Sequence, residues 1–387
     1  EITLMLKNPT LVEGDAGWDF SYGNTTSGAT AGAMYVREAW GTSFDMHQTL
    51  TGLQDGVYKL QVNASYRAFG DNTNLNQASF IYANDKLVYT MMDSEDGLPV
   101  GNAVDGENCL LSEGHGLTDL VIYGPDGEPA FYTPHGPEGY GLAFQSGRYL
   151  NTLVCEVTDG TLTVGLRSPG CGGTQGTWMG NFRLFYIGSR EQAAEDIRLS
   201  LEGQVARANT LLERYEYHTD ESYATAPNFS QALRTQLQEA VEAVATADDT
   251  ETRLALSETF STLFQQIYDC KKAYIQYIAE LESFQADIYE LSTLSDVDKN
   301  GVEALINSIW DKYMEGAFSE EAALAMEELM SSSYYPLIYG TEPAITDGVC
   351  QLSSPWEVLW LARQAKAGRM LNAVVPEPLD FVGVTMI

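Results

Sequence analysis

The chain reads as a multi-domain β plus α protein: an N-terminal antiparallel β-sandwich of jelly-roll type, an elongated all-α region, and a small C-terminal α+β segment. Three observations carry that reading. Of 35 glycines, 28 lie at or before Gly188, among short β-branched and aromatic runs such as Gly56-Val57-Tyr58-Lys59-Leu60-Gln61-Val62. From Ser189 to Tyr335 there are three glycines and one proline, Pro227, within long stretches of helical spacing. After Pro336 the texture returns to short strands around one capped helix. The expected domains are therefore 1–188, 189–335 and 336–387.

Charge narrows the partners. With 21 basic and 54 acidic residues the formal net charge is −33, shared as −13 up to Gly188 and −20 beyond it. Such a surface repels phosphate backbones and anionic lipid, so nucleic acid and membrane surfaces are poor partners, and neither nucleic-acid binding nor membrane insertion is expected. No apolar run reaches the about 18 residues a membrane helix needs. Between Lys86 and Arg148 there are ten acidic residues and no basic one, which suits a neutral or cationic ligand or plain solubility. Five cysteines without a C-x-x-C pattern read as buried thiols at Cys155 and Cys270, with Cys109 and Cys171 in Gly-rich loops where pairing is open.

Within the first domain, strands are expected at 46–50, 58–66, 79–83, 86–91, 151–157, 162–166 and 181–186. Gln54-Asp55-Gly56, Asn84-Asp85-Lys86 and Thr158-Asp159-Gly160 supply the tight turns. Residues 92–147 form a long acidic Gly/Pro-rich insertion, a length more typical of a binding element than of a connector.

Several runs carry a resemblance: Asn8-Pro9-Thr10 with Gly17-Trp18, Glu38-Ala39-Trp40, Phe44-Asp45-Met46-His47-Gln48-Thr49-Leu50-Thr51-Gly52-Leu53, and Trp178-Met179-Gly180-Asn181-Phe182-Arg183-Leu184. Together they resemble a domain of secreted surface proteins of anaerobic gut bacteria, similar to the galactose-binding-like jelly rolls used as carbohydrate-binding modules. The resemblance implies a non-catalytic, sugar-facing role and raises a structural Ca2+ near the terminal strands. Gly180 stands where the family has an aspartate, which puts that ion in doubt. Sugar recognition needs aromatic faces with amides, carboxylates or arginine beside them. The candidate carbohydrate-binding residues are Trp40, Tyr66, Arg67, Tyr22, Asp71 and Asn72, while Trp18 and Trp178 read as core.

The second domain repeats at about 80 residues. One unit has helices at 191–215, 230–247 and 251–268, the other at 271–291, 296–315 and 320–333, with 251–291 expected as one shared helix. The pattern resembles FIVAR-type repeats, which implies a spacer and a possible protein-binding rod. Asp296-Val297-Asp298-Lys299-Asn300-Gly301 imitates the first half of a calcium loop, but Glu303 and Asn307 break the second half and a helix start is preferred. In the last module, Ser354, Pro355 and Glu357 announce a helix that Gly368 stops, between strands at 349–352 and 372–375. This resembles the opening of surface modules that continue into a β-helix.

No metalloprotease, nucleophile-elbow or phosphate-loop pattern is present around the four histidines or elsewhere. The expectation is a secreted or cell-surface, non-catalytic glycan-binding protein with a helical spacer. The alternatives are a structural or protein-binding module, or a non-catalytic part of a larger polysaccharide-active enzyme.

Overall fold

The computed structural model describes residues 1–68, 78–99, 118–170, 175–216, 226–290, 296–317 and 339–381. The N-terminal part is an antiparallel β-sandwich followed by a helical region. Its strands are β1 (Asp19–Tyr22), β2 (Ser27–Ala31), β3 (Met34–Trp40), β4 (Phe44–Thr51), β5 (Gly56–Ala68), β6 (Phe80–Ala83), β7 (Lys86–Tyr89), β8 (Met91–Met92), β9 (Leu98–Pro99), β10 (Thr118–Tyr123), β11 (Pro129–Pro134), β12 (Leu150–Val157), β13 (Thr161–Ser168) and β14 (Gln175–Gly188). One sheet has the order β1-β4-β13-β6-β7 and the other β12-β5-β14-β3-β2, with β8 beside β5. Successive strands β3 to β6 and β12 to β14 alternate between the two sheets, so their inward residues interdigitate as one core. Met46, Leu166 and Ile81 share a row of the first sheet, Ala64 and Met179 a row of the second, and all are buried.

The 92–147 insertion, in its described parts, is a cover. It forms β9 to β11 and helix α1 (Gly136–Gln145), whose Tyr140 stacks on Trp178 at 4.2 Å and, with Phe144, closes a cluster with Val36 and Tyr149 on the outer face of the second sheet.

The helices are α2 (Ala194–Glu213), α3 (Gln231–Val244), α4 (Thr250–Glu290), α5 (Asp296–Met314) and α6 (Pro355–Lys366). Residues 251–290 are continuous helix, as the absence of a breaker predicts. The compact units, however, are Glu1–Asp269 and Cys270–Ile387, so the division falls inside α4 and not at Gly188. Helix α2 and residues 250–269 of α4 belong with the sandwich because they cover its open edges. On β7, the Leu87 N–H donates to Ser261 Oγ at 3.1 Å, and the Leu87 carbonyl lies 3.2 Å from that hydroxyl and 3.4 Å from the Gln204 amide nitrogen. On β12, the Val154 N–H donates to Ser200 Oγ at 3.0 Å. Around these bonds Tyr89 meets Phe264 edge-on at 5.5 Å and Phe80 meets Tyr268 at 5.6 Å. Val57 and Val154 pack against Ala193 and Ile197, and Lys59 pairs with Asp196 at 2.6 Å.

In the second unit, Tyr274 and Tyr313 meet edge-on at 5.3 Å, and Phe284, Ile306 and Ile309 are buried. Residues 296–301 are helical from Asp296 onward, which excludes the calcium-loop conformation. The helix expected at 320–333 lies outside the described residues. Strands β15 (Ala344–Thr346), β16 (Val349–Gln351) and β17 (Asn372–Val374) form a small sheet, and α6 starts with the Ser354 and Glu357 capping box.

Ser261→Ala strips the partner from the buried Leu87 N–H, a loss that costs about 1–3 kcal/mol. Its denaturation midpoint should fall accordingly, and a midpoint equal to the parent would show that the edge bond contributes nothing.

Candidate functional site: a groove between the sheet and α4

The outer face of the first sheet is half covered. Helix α4 lies over Phe80 and Tyr89, while β4 and β13 stay open beside it. Along that boundary runs a groove of about 440 Å³, lined among others by Asp45, Tyr82, Asn84, Arg167, Gln265 and Gln266. The volume is within the roughly 300–1,000 Å³ of small-ligand clefts.

Its floor is built by strand register. Asp45 on β4 stands opposite Arg167 on β13, and Gly165 stands between His47 and Tyr82. A Cβ at Gly165 would sit 2.5 Å from Tyr82 Cζ and 2.5 Å from the Met46 carbonyl, so the missing side chain lets the Tyr82 ring lie across the strand. From there the Tyr82 hydroxyl donates to Asp45 Oδ1 at 2.6 Å. Arg167 stacks 5.5 Å from the Tyr82 ring and 5.7 Å from that of Phe80, and its Nη2 donates to Gln265 Oε1 at 2.7 Å. Gln265 in turn is held by Asp269 through its amide at 3.0 Å. The result is an aromatic face ringed by a carboxylate, a guanidinium and two amides.

The six expected sugar-binding residues separate in space. Tyr22 stands opposite Asp45 at the groove's margin, 41% exposed. Trp40 is 36% exposed but lies with the second sheet, tilted against Trp178 at 5.8 Å. Tyr66 and Arg67 are corrections, since each is only 3% exposed. Tyr66 lies in the sandwich core, opposite the buried Thr177. Arg67 is buried because partners exist: it pairs with Asp93 and donates to Thr133 Oγ1 at 2.6 Å and to the Pro134 carbonyl at 2.9 Å. Asp71 and Asn72 lie outside the described residues.

A Cβ at Gly180 would approach the Tyr35 carbonyl to 2.6 Å, so the position has no room for the family's aspartate, and among the described residues no group of three or more acidic, His or Cys side chains that could hold a metal is found. Cys155, Cys270 and Cys350 are buried, Cys155 and Cys350 as free thiols, and burial pushes Cys155 up to about 12. Cys109 and Cys171 lie outside the described residues. No helix among those described is long and apolar enough to cross a membrane.

No family model and no curated protein matches the chain. Among solved structures it is similar to a "Family 16 Carbohydrate Binding Module-2", with 12% identity and a TM-score of 0.26 over 47% of this chain and 99% of that chain. It is also similar to TmCBM61 in complex with beta-1,4-galactotriose, with 14% identity and a TM-score of 0.21 over 47% of this chain and 97% of that chain. At such scores the functional reading rests on the groove's own side chains.

Two outcomes follow from the groove's construction. Gly165→Ala forces Tyr82 and the Met46 carbonyl apart at a cost of about 1–3 kcal/mol, measurable as a lower denaturation midpoint; an unchanged midpoint would mean the ring does not need that space. Burial, then the hydrogen bond to Asp45, raises the Tyr82 hydroxyl, and burial raises Tyr89 and Tyr149. The folded protein therefore keeps protons that the unfolded chain releases near pH ~10, so stability is full below that pH and declines above it. Melting temperature should fall above pH ~10 and less steeply in Tyr82→Phe; equal slopes would show that Tyr82 titrates as it does when unfolded.

Proposed function

We propose that the chain is a saccharide-binding module whose ligand lies in the groove between the first sheet and α4. The observation that carries this is the Tyr82 ring, packed against Gly165 and flanked by Asp45, Arg167 and Gln265. A pyranose offers an apolar C–H face and a rim of hydroxyls. An aromatic ring takes the face, and carboxylate, guanidinium and amide groups take the rim. Recognition without bond cleavage is the reading we adopt. A protein of this kind acts outside the cell, as a surface or secreted glycan-binding module or as the non-catalytic part of a polysaccharide-active enzyme. A protein-binding role is the second reading, favoured by the apolar side chains exposed in the C-terminal module, among them Met370 at 98%, Ile345, Leu371 and Val375.

The test is calorimetric titration of the full chain with a panel of oligosaccharides. Tyr82→Ala should weaken binding about tenfold or more, each tenfold being 1.4 kcal/mol, whereas Trp40→Ala should leave it within about twofold. Binding lost in Trp40→Ala and kept in Tyr82→Ala would place the ligand on the other sheet.

A further inference from the structure

The arginines of the sandwich follow one rule with one exception. Arg37 pairs with Asp15, Arg67 with Asp93, Arg148 with Asp96 and Arg183 with Glu1. Arg167 has no ion pair among the described residues. Its Nη2 bonds the neutral oxygen of Gln265 at 2.7 Å, and its Nε is buried without a hydrogen-bond partner. In a chain with 54 acidic and 21 basic residues, carboxylates are abundant and a guanidinium is easily paired. One even stands directly opposite: Asp45 faces Arg167 across the β4–β13 ladder, a position from which opposite charges normally interact. Asp45 is turned instead to the Tyr82 hydroxyl at 2.6 Å.

A cation kept from pairing, packed against two aromatic rings and facing a groove, is poised for an anion that comes from outside. Arginine presents a planar fork that matches a carboxylate in a bidentate manner. We infer that the groove selects an acidic saccharide, one bearing a ring carboxylate of the uronate type. The carboxylate meets the Arg167 guanidinium, the ring lies on Tyr82, and hydroxyls reach Asp45 and the Gln265 and Gln266 amides. This rests on the saccharide reading and adds the charge of the ligand to it. The chain's net negative charge opposes anions at long range, but salt screens that field beyond a Debye length of about 8 Å, whereas contact with Arg167 in a half-covered groove is screened much less. Acidic selectivity should thus reside in the contact and not in steering.

The experiment uses the full chain and matched oligosaccharides that differ at the sixth carbon: oligogalacturonate against oligogalactose, and glucuronate-bearing against glucose-bearing oligomers. The acidic member of a pair should bind about tenfold tighter or better. Arg167→Gln should abolish that preference and Arg167→Lys restore part of it, with melting temperatures recorded for both variants. Methyl-esterified oligogalacturonate on the unaltered protein gives the same test without a mutation, and should bind no better than oligogalactose. Equal or tighter binding of the neutral member, or undiminished binding of the ester, overturns the acidic assignment and leaves the saccharide reading standing. No binding by any member of the panel overturns both.

Discussion

A β-sheet must end somewhere, and its last strand presents peptide groups that need partners. Here the edges β7 and β12 are closed by side chains of helices: Ser261 and Gln204 on Leu87, and Ser200 on Val154. These groups are buried, so water cannot replace the partners, and each bond left unmade would cost more than each bond made contributes. Much else follows from this constraint. It fixes α2 and α4 against the sandwich, brings Phe264 and Tyr268 over Phe80 and Tyr89, and makes residues 1–269 one compact unit. Edge pairing with another chain is blocked on that side by the same residues.

The groove is a by-product of how far that cover extends. Helix α4 shields the β6–β7 half of the sheet's outer face and stops short of β4 and β13, so its Gln265 and Gln266 become one wall and the open strands the floor. On the other sheet α1 does the equivalent work through Tyr140 and Phe144, while Trp40 stays 36% exposed. Two sheets with similar aromatic outer faces therefore end with different amounts of accessible chemistry. The helical segment after Gly188 is part of the recognition surface in this scheme, not merely a spacer behind it.

Legibility in the sequence followed locality. Strands β4 to β7 and β12 to β14 could be read because their alternation is uninterrupted and their turns are tight, and Ser354 with Glu357 marked α6 by a capping box confined to one turn. Strand β3 was missed because Arg37 and Glu38 break its apolar rhythm. Helix α1 was missed because Gly136, Gly139 and Gly141 argue against helix, and stacking of Tyr140 on Trp178 overrides that propensity. Arg67 looked available because its partner Asp93 is distant in sequence. The groove could not be read, since Asp45, Tyr82, Arg167 and Gln265 come from four separate elements. Its one local signal was Gly165, a lone glycine inside a strand, which marks a place where something lies close against the backbone.

Amide hydrogen exchange under native conditions, followed at rising denaturant, measures directly whether helices complete the sandwich. If edge capping holds the unit together, Leu87 and Val154 exchange only through the opening that also releases core amides of β13 such as Val164, with the same free energy and the same denaturant slope. Exchange of Leu87 and Val154 through a smaller opening that leaves Val164 protected would mean that the helices detach from an already complete sandwich, and the edge bonds would then not be what the unit depends on.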